Sequence, residues 1–212
     1  MDLVQKTRDF VQAQFFQSAF LQSDPRQQNY RWQHTLRVAA IGSKIARVEG
    51  LGEQALVIAC LLHDVSYRED LSSLPGGWQE HGRRAAAIAR EFLADSGLPE
   101  AAREEICYGI AIHVDDKADF AGEATVLARS VSDCDNIDRF GPWRIHETLV
   151  WRDFLSMSPE EQLAFVRRQV QGLEGLQVDF ATRTAGRMFC EQLQFQLEYY
   201  RRLARQLESG IW

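Results

Sequence analysis

The side chains of this sequence that could carry chemistry are histidines with acidic neighbours. Of the five histidines, four fall where expected helices meet loops. His34 stands in the first turns of one helix. His63 is followed directly by Asp64, at the end of the apolar run Ala55-Leu56-Val57-Ile58-Ala59-Cys60-Leu61-Leu62. Further on, Ser132-Asp133-Cys134-Asp135-Asn136-Ile137-Asp138 crowds carboxylates onto a helix that is otherwise apolar through Val126, Leu127, Val131 and Ile137. Carboxylates so placed repel one another and lose hydration, which raises their pKa values and costs stability. A divalent cation is the simplest compensation. Imidazole with carboxylate suits Mn, Fe, Zn or Ni, and the lack of a Cys-x-x-Cys pair argues against a structural zinc knot. A lone histidine on a helix is more often packed or solvated than a ligand, and a His-Asp dipeptide recurs by chance. The order of these residues along the chain is what carries weight.

The elements that must position them read as helices throughout. Residues 3–22 form an amphipathic helix, with Leu3, Val4, Phe10, Val11, Phe15 and Phe20 roughly on one face, and Asp24-Pro25 breaks it. A second helix, Tyr30–Glu49, carries His34 and is closed by Gly50. A third, 53–66, is apolar nearly all round, as expected of a helix surrounded by others. A polar loop from Tyr67 to Gly77 ends on Pro75-Gly76-Gly77. Helices over 78–95 and 100–113 then carry His81 and His113, an acidic loop spans Val114–Gly122, and a helix over 123–139 carries Asp135. The remainder is helical too: Ser158-Pro159-Glu160-Glu161 is a capping box with proline at the first helical position, and 178–208 is a long amphipathic segment. Alternating patterning persists nowhere, so the expected fold is all-α. One domain over 1–212 is expected, with a core at 30–140 and a C-terminal helical layer at 143–212.

The sequence resembles the HD-domain superfamily of metal-dependent phosphohydrolases, whose pattern is H…HD…D with the HD pair after an apolar helix. Its first histidine falls on His34 within His34-Thr35-Leu36-Arg37-Val38, its pair on His63-Asp64, and its distal aspartate on Asp135 within Asp133-Cys134-Asp135-Asn136-Ile137-Asp138. The resemblance implies an HD-domain helical bundle with additional C-terminal helices, and a divalent ion (Mn, Fe, Ni, Zn or Mg) held by His34, His63, Asp64 and Asp135. Two further histidines fit the two-metal variants of the family. His81 opens a helix in Gln79-Glu80-His81-Gly82-Arg83-Arg84, and His113 ends the next one ahead of Asp115-Asp116. The alternative is a single ion, with His81 a cap and His113 facing substrate. Asn136 replaces the arginine common after the distal aspartate, and the glycine-rich tail of the cyclic-dinucleotide phosphodiesterase branch is missing after His113.

The resemblance therefore implies a phosphohydrolase acting on a small phosphorylated metabolite or nucleotide through a metal-activated hydroxide. A divalent ion lowers the pKa of bound water from 15.7 toward roughly 7. With two ions, Asp64 would bridge them, and the catalytic group would comprise Asp64, His81, His113 and Arg37. Arg37, one turn after His34, shares its face and can reach a phosphate. Lys117 and Arg139 are weaker choices, Asp133 and Asp138 are expected to orient histidines, and His146 fits no pattern and reads as a surface residue. Two readings compete: the same histidine–aspartate hexad serves di-iron HD-domain oxygenases, and a non-catalytic HD regulatory module could keep the fold alone.

Bulk composition narrows the partners. The net charge of −6 and the scattered basic residues argue against a nucleic-acid polymer. Cys60, Cys107, Cys134 and Cys190 are widely spaced, which suits reduced, mostly buried thiols. No apolar run is long enough to span a membrane and the first residues do not read as a signal peptide, so a cytoplasmic protein is expected. Homo-oligomerisation is left open.

Overall fold

The computed structural model describes residues 2–210; Met1, Ile211 and Trp212, at the ends of the expected domain, lie outside the described residues. Among those described there are ten α-helices and no strand, so the chain is all-α as expected. It divides into two compact units, one of residues up to Asp135 with Phe180–Ala185, the other of Asn136–Asp179 with Gly186 onward.

In the first unit, α1 (Leu3–Phe16) buries Thr7, Val11 and Phe15, one residue per turn. The sequence pattern predicts one helix to residue 22, but the chain breaks after Phe16 and resumes as α2 (Ala19–Gln22). The cause is Ser18: its extended backbone lets the hydroxyl accept from the Leu21 amide and donate to the Arg68 carbonyl at 2.5 Å. Next, α3 runs Pro25–Glu49 and so starts earlier than the expected Tyr30. Asp24 and Pro25 break the preceding helix and also begin this one. The Asp24 carboxylate accepts from the Arg26 and Gln27 amides, and proline occupies the first turn, where no intrahelical donor is needed. Gly50 ends the helix in the left-handed region, φ 71°.

The centre of this unit is α4 (Glu53–Leu62), whose Leu56 and Ile58–Leu62 are exposed by 2% or less. Burying side chains of that size contributes about 1.5–3 kcal/mol apiece for the larger ones. The expected helix over 53–66 stops at Leu62, and Val65–Arg68 continues as a 3-10 turn. Gly42 of α3 explains how closely α3 and α4 approach. A β-carbon there would stand 2.8 Å from Cys60 Sγ, closer than a packed core allows, with Cys134 Sγ in ordinary contact at 3.6 Å. Two further helices, α5 (His81–Leu93) and α6 (Glu100–Ile112), pack on each other. Another 3-10 turn, Gly77–Glu80, occupies the start of the expected helix over 78–95. Finally α7 (Val126–Arg139) carries Asp135 at the unit boundary.

The second unit holds α8 (Pro142–Trp151), α9 (Pro159–Glu174) and most of α10 (Arg183–Gly210). Its core is Ile145, Phe154, Phe165, Val166, Leu173 and Tyr200. The capping box at the head of α9 is present: Glu161 N donates to Ser158 Oγ at 3.3 Å, and Ser158 N to Glu161 Oε2 at 2.8 Å. The last helix begins at Arg183, after the expected 178. Cys60, Cys107 and Cys134 are buried, Cys190 is exposed, and none forms a disulfide. No helix among the described residues is long and apolar enough to cross a membrane.

Candidate metal centre

Six residues from α3 to α7 and their ends converge in the first unit, each buried: His34, His63, Asp64, His81, His113 and Asp135. His34 comes from the middle of α3. His63 caps the C-terminus of α4, and Asp64 follows it with φ −107° and ψ 9°. That sparsely used bridge conformation turns the chain out of the helix and aims the carboxylate inward. His81 is the first residue of α5, His113 caps α6, and Asp135 lies on α7.

The Asp64 carboxylate stands between two groups of histidines. Oδ2 is 3.6 Å from both His34 Nε2 and His63 Nε2, while Oδ1 is 3.4 Å from His81 Nε2 and 3.9 Å from His113 Nε2. On the Oδ2 side, Asp135 Oδ1 is 3.1 Å from His34 Nε2 and 3.9 Å from His63 Nε2. Ligand atoms of His34, His63 and Asp135 thus lie within 4.8 Å of one another, as do those of His63, Asp64 and His113.

Three of the rings have their other nitrogen committed. Nδ1 of His63 donates to the Cys60 carbonyl at 2.7 Å, that of His81 to Trp78 at 2.5 Å and that of His113 to Ile110 at 2.6 Å. Each acceptor lies three residues back along the chain, so helix-end geometry itself fixes the tautomer. These acceptors are main-chain oxygens and not the Asp133 carboxylate, which accepts from the Ala181 amide at 2.9 Å. Burial, the largest influence, pushes His63, His81 and His113 below the ordinary value of 6.5. Neutral rings with the proton on Nδ1 present bare lone pairs at Nε2. His34 Nε2, 3.3 Å from His63 Nε2, can donate to it, but Nε2 of His81 and Nε2 of His113 face each other at 3.1 Å. Two buried acceptors left facing cost about 1–3 kcal/mol each. A cation between them turns that cost into ligation, and the all-N/O donor set fits a divalent ion such as Mn, Fe, Ni or Zn.

Asp64 is set to remain ionised. Burial alone would raise its pKa, but His63, Arg31, His81 and His34 together hold it well below the ordinary carboxylate value. Arg31 donates to Oδ2 at 2.9 Å, and its guanidinium lies 3.4 Å from the Tyr67 ring centroid. Tyr67 packs against His81, ring centroids 4.9 Å apart. Burial, followed by the charge of Asp64, pushes its phenol up to about 12, so it stays protonated. Arg31 and Tyr67 are the participants that sequence reasoning missed. The signal was present, since Arg31 precedes His34 by one helical turn and Tyr67 follows Asp64 by one 3-10 turn.

The α5–α6 half depends on close packing. A β-carbon on Gly82 would meet Ala111 O at 2.8 Å, Ile110 O at 3.0 Å and Val114 Cγ2 at 3.0 Å. Glycine beside His81 therefore lets the head of α5 rest on the tail of α6. Ser66 Oγ adds a buried bond to the His81 carbonyl at 2.9 Å. Of the remaining expected residues, Arg37 is half-buried on α3, Lys117 and Arg139 are exposed, His146 is exposed on α8, and Asp138 is buried in the second unit.

An all-α unit with a buried histidine–aspartate centre able to hold ions defines the class of protein. Residues 31–139, just over half of the chain, match the family model of the HD domain, and the chain belongs to that family. Two crystal structures share its fold. One is a predicted HD superfamily hydrolase from an uncultured Thermotogales bacterium, 21% identical with a TM-score of 0.64, covering 93% of this chain and 91% of that one. The other is YpgQ of Bacillus subtilis in complex with ADP, 18% identical with a TM-score of 0.63, covering 96% and 94%. No curated protein matches the sequence. Family and clusters together support a metal-dependent hydrolase.

Proposed function

We propose that this chain is a metal-dependent phosphohydrolase acting on a small phosphorylated metabolite or nucleotide. The observation that carries the reading is the placement of Asp64, whose two oxygens face separate groups of imidazole nitrogens and so can serve two ions at once. His34, His63, Asp64 and Asp135 would hold the first ion, and Asp64, His81 and His113 the second. Divalent ions held there supply Lewis acidity toward a phosphoryl oxygen and a water whose pKa falls from 15.7 toward about 7.

The chain's own residues supply the rest. Near-complete burial of the six side chains keeps bulk water from competing for the ligand atoms. Arg31 anchors Asp64 Oδ2 and places a fixed positive charge beside the centre, which favours an anionic substrate. Arg37, one turn beyond His34, is assigned to the substrate phosphate. The ADP held by the Bacillus subtilis neighbour makes nucleoside diphosphates early choices in a screen. We place the protein in the cytoplasm, with no nucleic-acid polymer as partner.

The test begins with metal analysis of protein purified without chelator, followed by phosphate release from a panel of phosphorylated metabolites with Mn²⁺, in air and without oxygen. Turnover that stops with chelator and ignores oxygen is expected. Turnover that requires oxygen and releases no phosphate would transfer the site to the di-iron oxygenase reading.

A further inference from the structure

Arg83 lies two residues beyond His81 on α5, and only 9% of its side chain is exposed. Its guanidinium is shared between the segments that carry His81 and His113. On one side Nε donates to Glu80 Oε2 at 2.7 Å and Nη2 to Glu80 Oε1 at 2.8 Å, a bidentate fork on the residue next to His81. Nη2 also reaches the Gln79 carbonyl at 3.2 Å. On the other side Nη1 donates to Asp115 Oδ1 at 2.8 Å and to the Lys117 carbonyl at 3.3 Å, just beyond His113. The Asp115 carboxylate also accepts from the Lys117 amide at 3.3 Å, closing a turn that holds Asp116 at φ 58°. A non-glycine residue in that region persists only where its surroundings enforce it.

The strap joins the segments that flank two histidines whose bare imidazole nitrogens stand 3.1 Å apart. His81 and His113 sit at helix ends, where the backbone frays most readily, and their lone pairs push them apart until a cation arrives. We propose that Arg83 is the positioning residue of the second ion site: by tying Glu80 to Asp115 it sets the His81–His113 spacing and thereby the affinity for the second ion. It touches none of the six proposed ligands itself. The inference rests on the two-ion reading above. Charge alone does not suffice for the task, because a lysine ammonium cannot fork onto Glu80 while holding Asp115.

The experiment titrates Mn²⁺ into metal-free wild type, Arg83→Gln, Arg83→Lys and Asp115→Asn, reading stoichiometry and stepwise affinity by calorimetry, with melting curves alongside. Wild type should bind two ions. Arg83→Gln should keep the first affinity and lose 10–100-fold in the second, the range expected when a residue orienting a metal ligand is removed. Arg83→Lys should fall between, and Asp115→Asn, which leaves the Glu80 fork intact, should lose less. A purely structural role would lower the melting temperature with both affinities unchanged, and that result overturns the inference while leaving the two-ion reading standing. Wild type that binds one ion overturns the two-ion reading itself, and the inference with it. If Arg83→Gln does not fold, Asp115→Asn decides: unchanged second-ion affinity overturns the proposal.

Discussion

The two sides of the histidine–aspartate centre share one device, a histidine at a helix end with Nδ1 on a main-chain carbonyl (His63 on one side, His81 and His113 on the other), and differ in what accompanies it. His34 and Asp135 project from within α3 and α7, and α3 is seated against α4 by Gly42. His81 and His113 stand at helix ends instead, one after a 3-10 turn and the other before a turn with a left-handed aspartate. Core packing fixes the first pair. The second is fixed by main-chain acceptors, the Gly82 contact and the Arg83 strap. The first side should therefore tolerate perturbation of the second, whereas Asp64, common to both, tolerates none.

The largest effect belongs to that shared residue. Asp64→Ala should release both ions and lower turnover at least about a thousandfold, with the helical circular dichroism kept. A metallated, active Asp64→Ala protein would break the comparison at its root. His113→Ala should reduce the metal content of purified protein from two ions to one, whereas His34→Ala should deplete the other side. Equal losses from the two variants would mean that the sides are not separable.

Close packing gives the next effect. Gly82→Ala drives a β-carbon into the main-chain oxygens of Ile110 and Ala111, which have little freedom to move, at a cost of about 1–3 kcal/mol. Urea denaturation should show this together with weaker binding of the second ion. Gly42→Ala should weaken the fold and spare the difference between the two affinities.

Acidification acts on metal-free protein in a direction set by burial. His63, His81 and His113 have folded-state values below 6.5. As pH falls through 6.5 the unfolded chain gains protons that the folded chain does not take up. Stability is therefore present above that pH and lost below it, by at most about 1.4 kcal/mol per pH unit for each ring. Chelator-treated protein should melt at lower temperature at pH 5.5 than at pH 7.5, and His113→Ala should narrow the gap. The smallest effect is that of Arg37→Ala, a rise in KM with metal content unchanged. Loss of metal from that variant would move Arg37 from substrate binding into the support of the centre.

Much of this was legible in the sequence, for physical reasons that differ by residue. The run Leu56–Leu62 is apolar throughout because all of it but Val57 is buried, and that marks His63-Asp64 as an interior helix end. His81 and His113 were visible as helix-terminal histidines, but whether their rings meet depends on how α5 rests on α6, which no spacing encodes. The 3-10 turns at Val65–Arg68 and Gly77–Glu80 straddle the expected helix–loop boundaries, where periodicity does not distinguish them from helix or loop. Asp24 reads as a stop in the sequence, yet its carboxylate also makes it a start. Arg31 and Arg37 both lie one turn from His34, on opposite sides of it, and only the three-dimensional path of Asp64 chooses between them.

The central claim is that one carboxylate serves two ions. Diffraction from crystals grown with Mn²⁺, recorded where manganese scatters anomalously, tests it most directly. The account predicts two anomalous peaks about 3.5–4 Å apart, one beside Asp64 Oδ2 with His34, His63 and Asp135, the other beside Oδ1 with His81 and His113. A single fully occupied peak, with the imidazoles of His81 and His113 turned away from it, would contradict it.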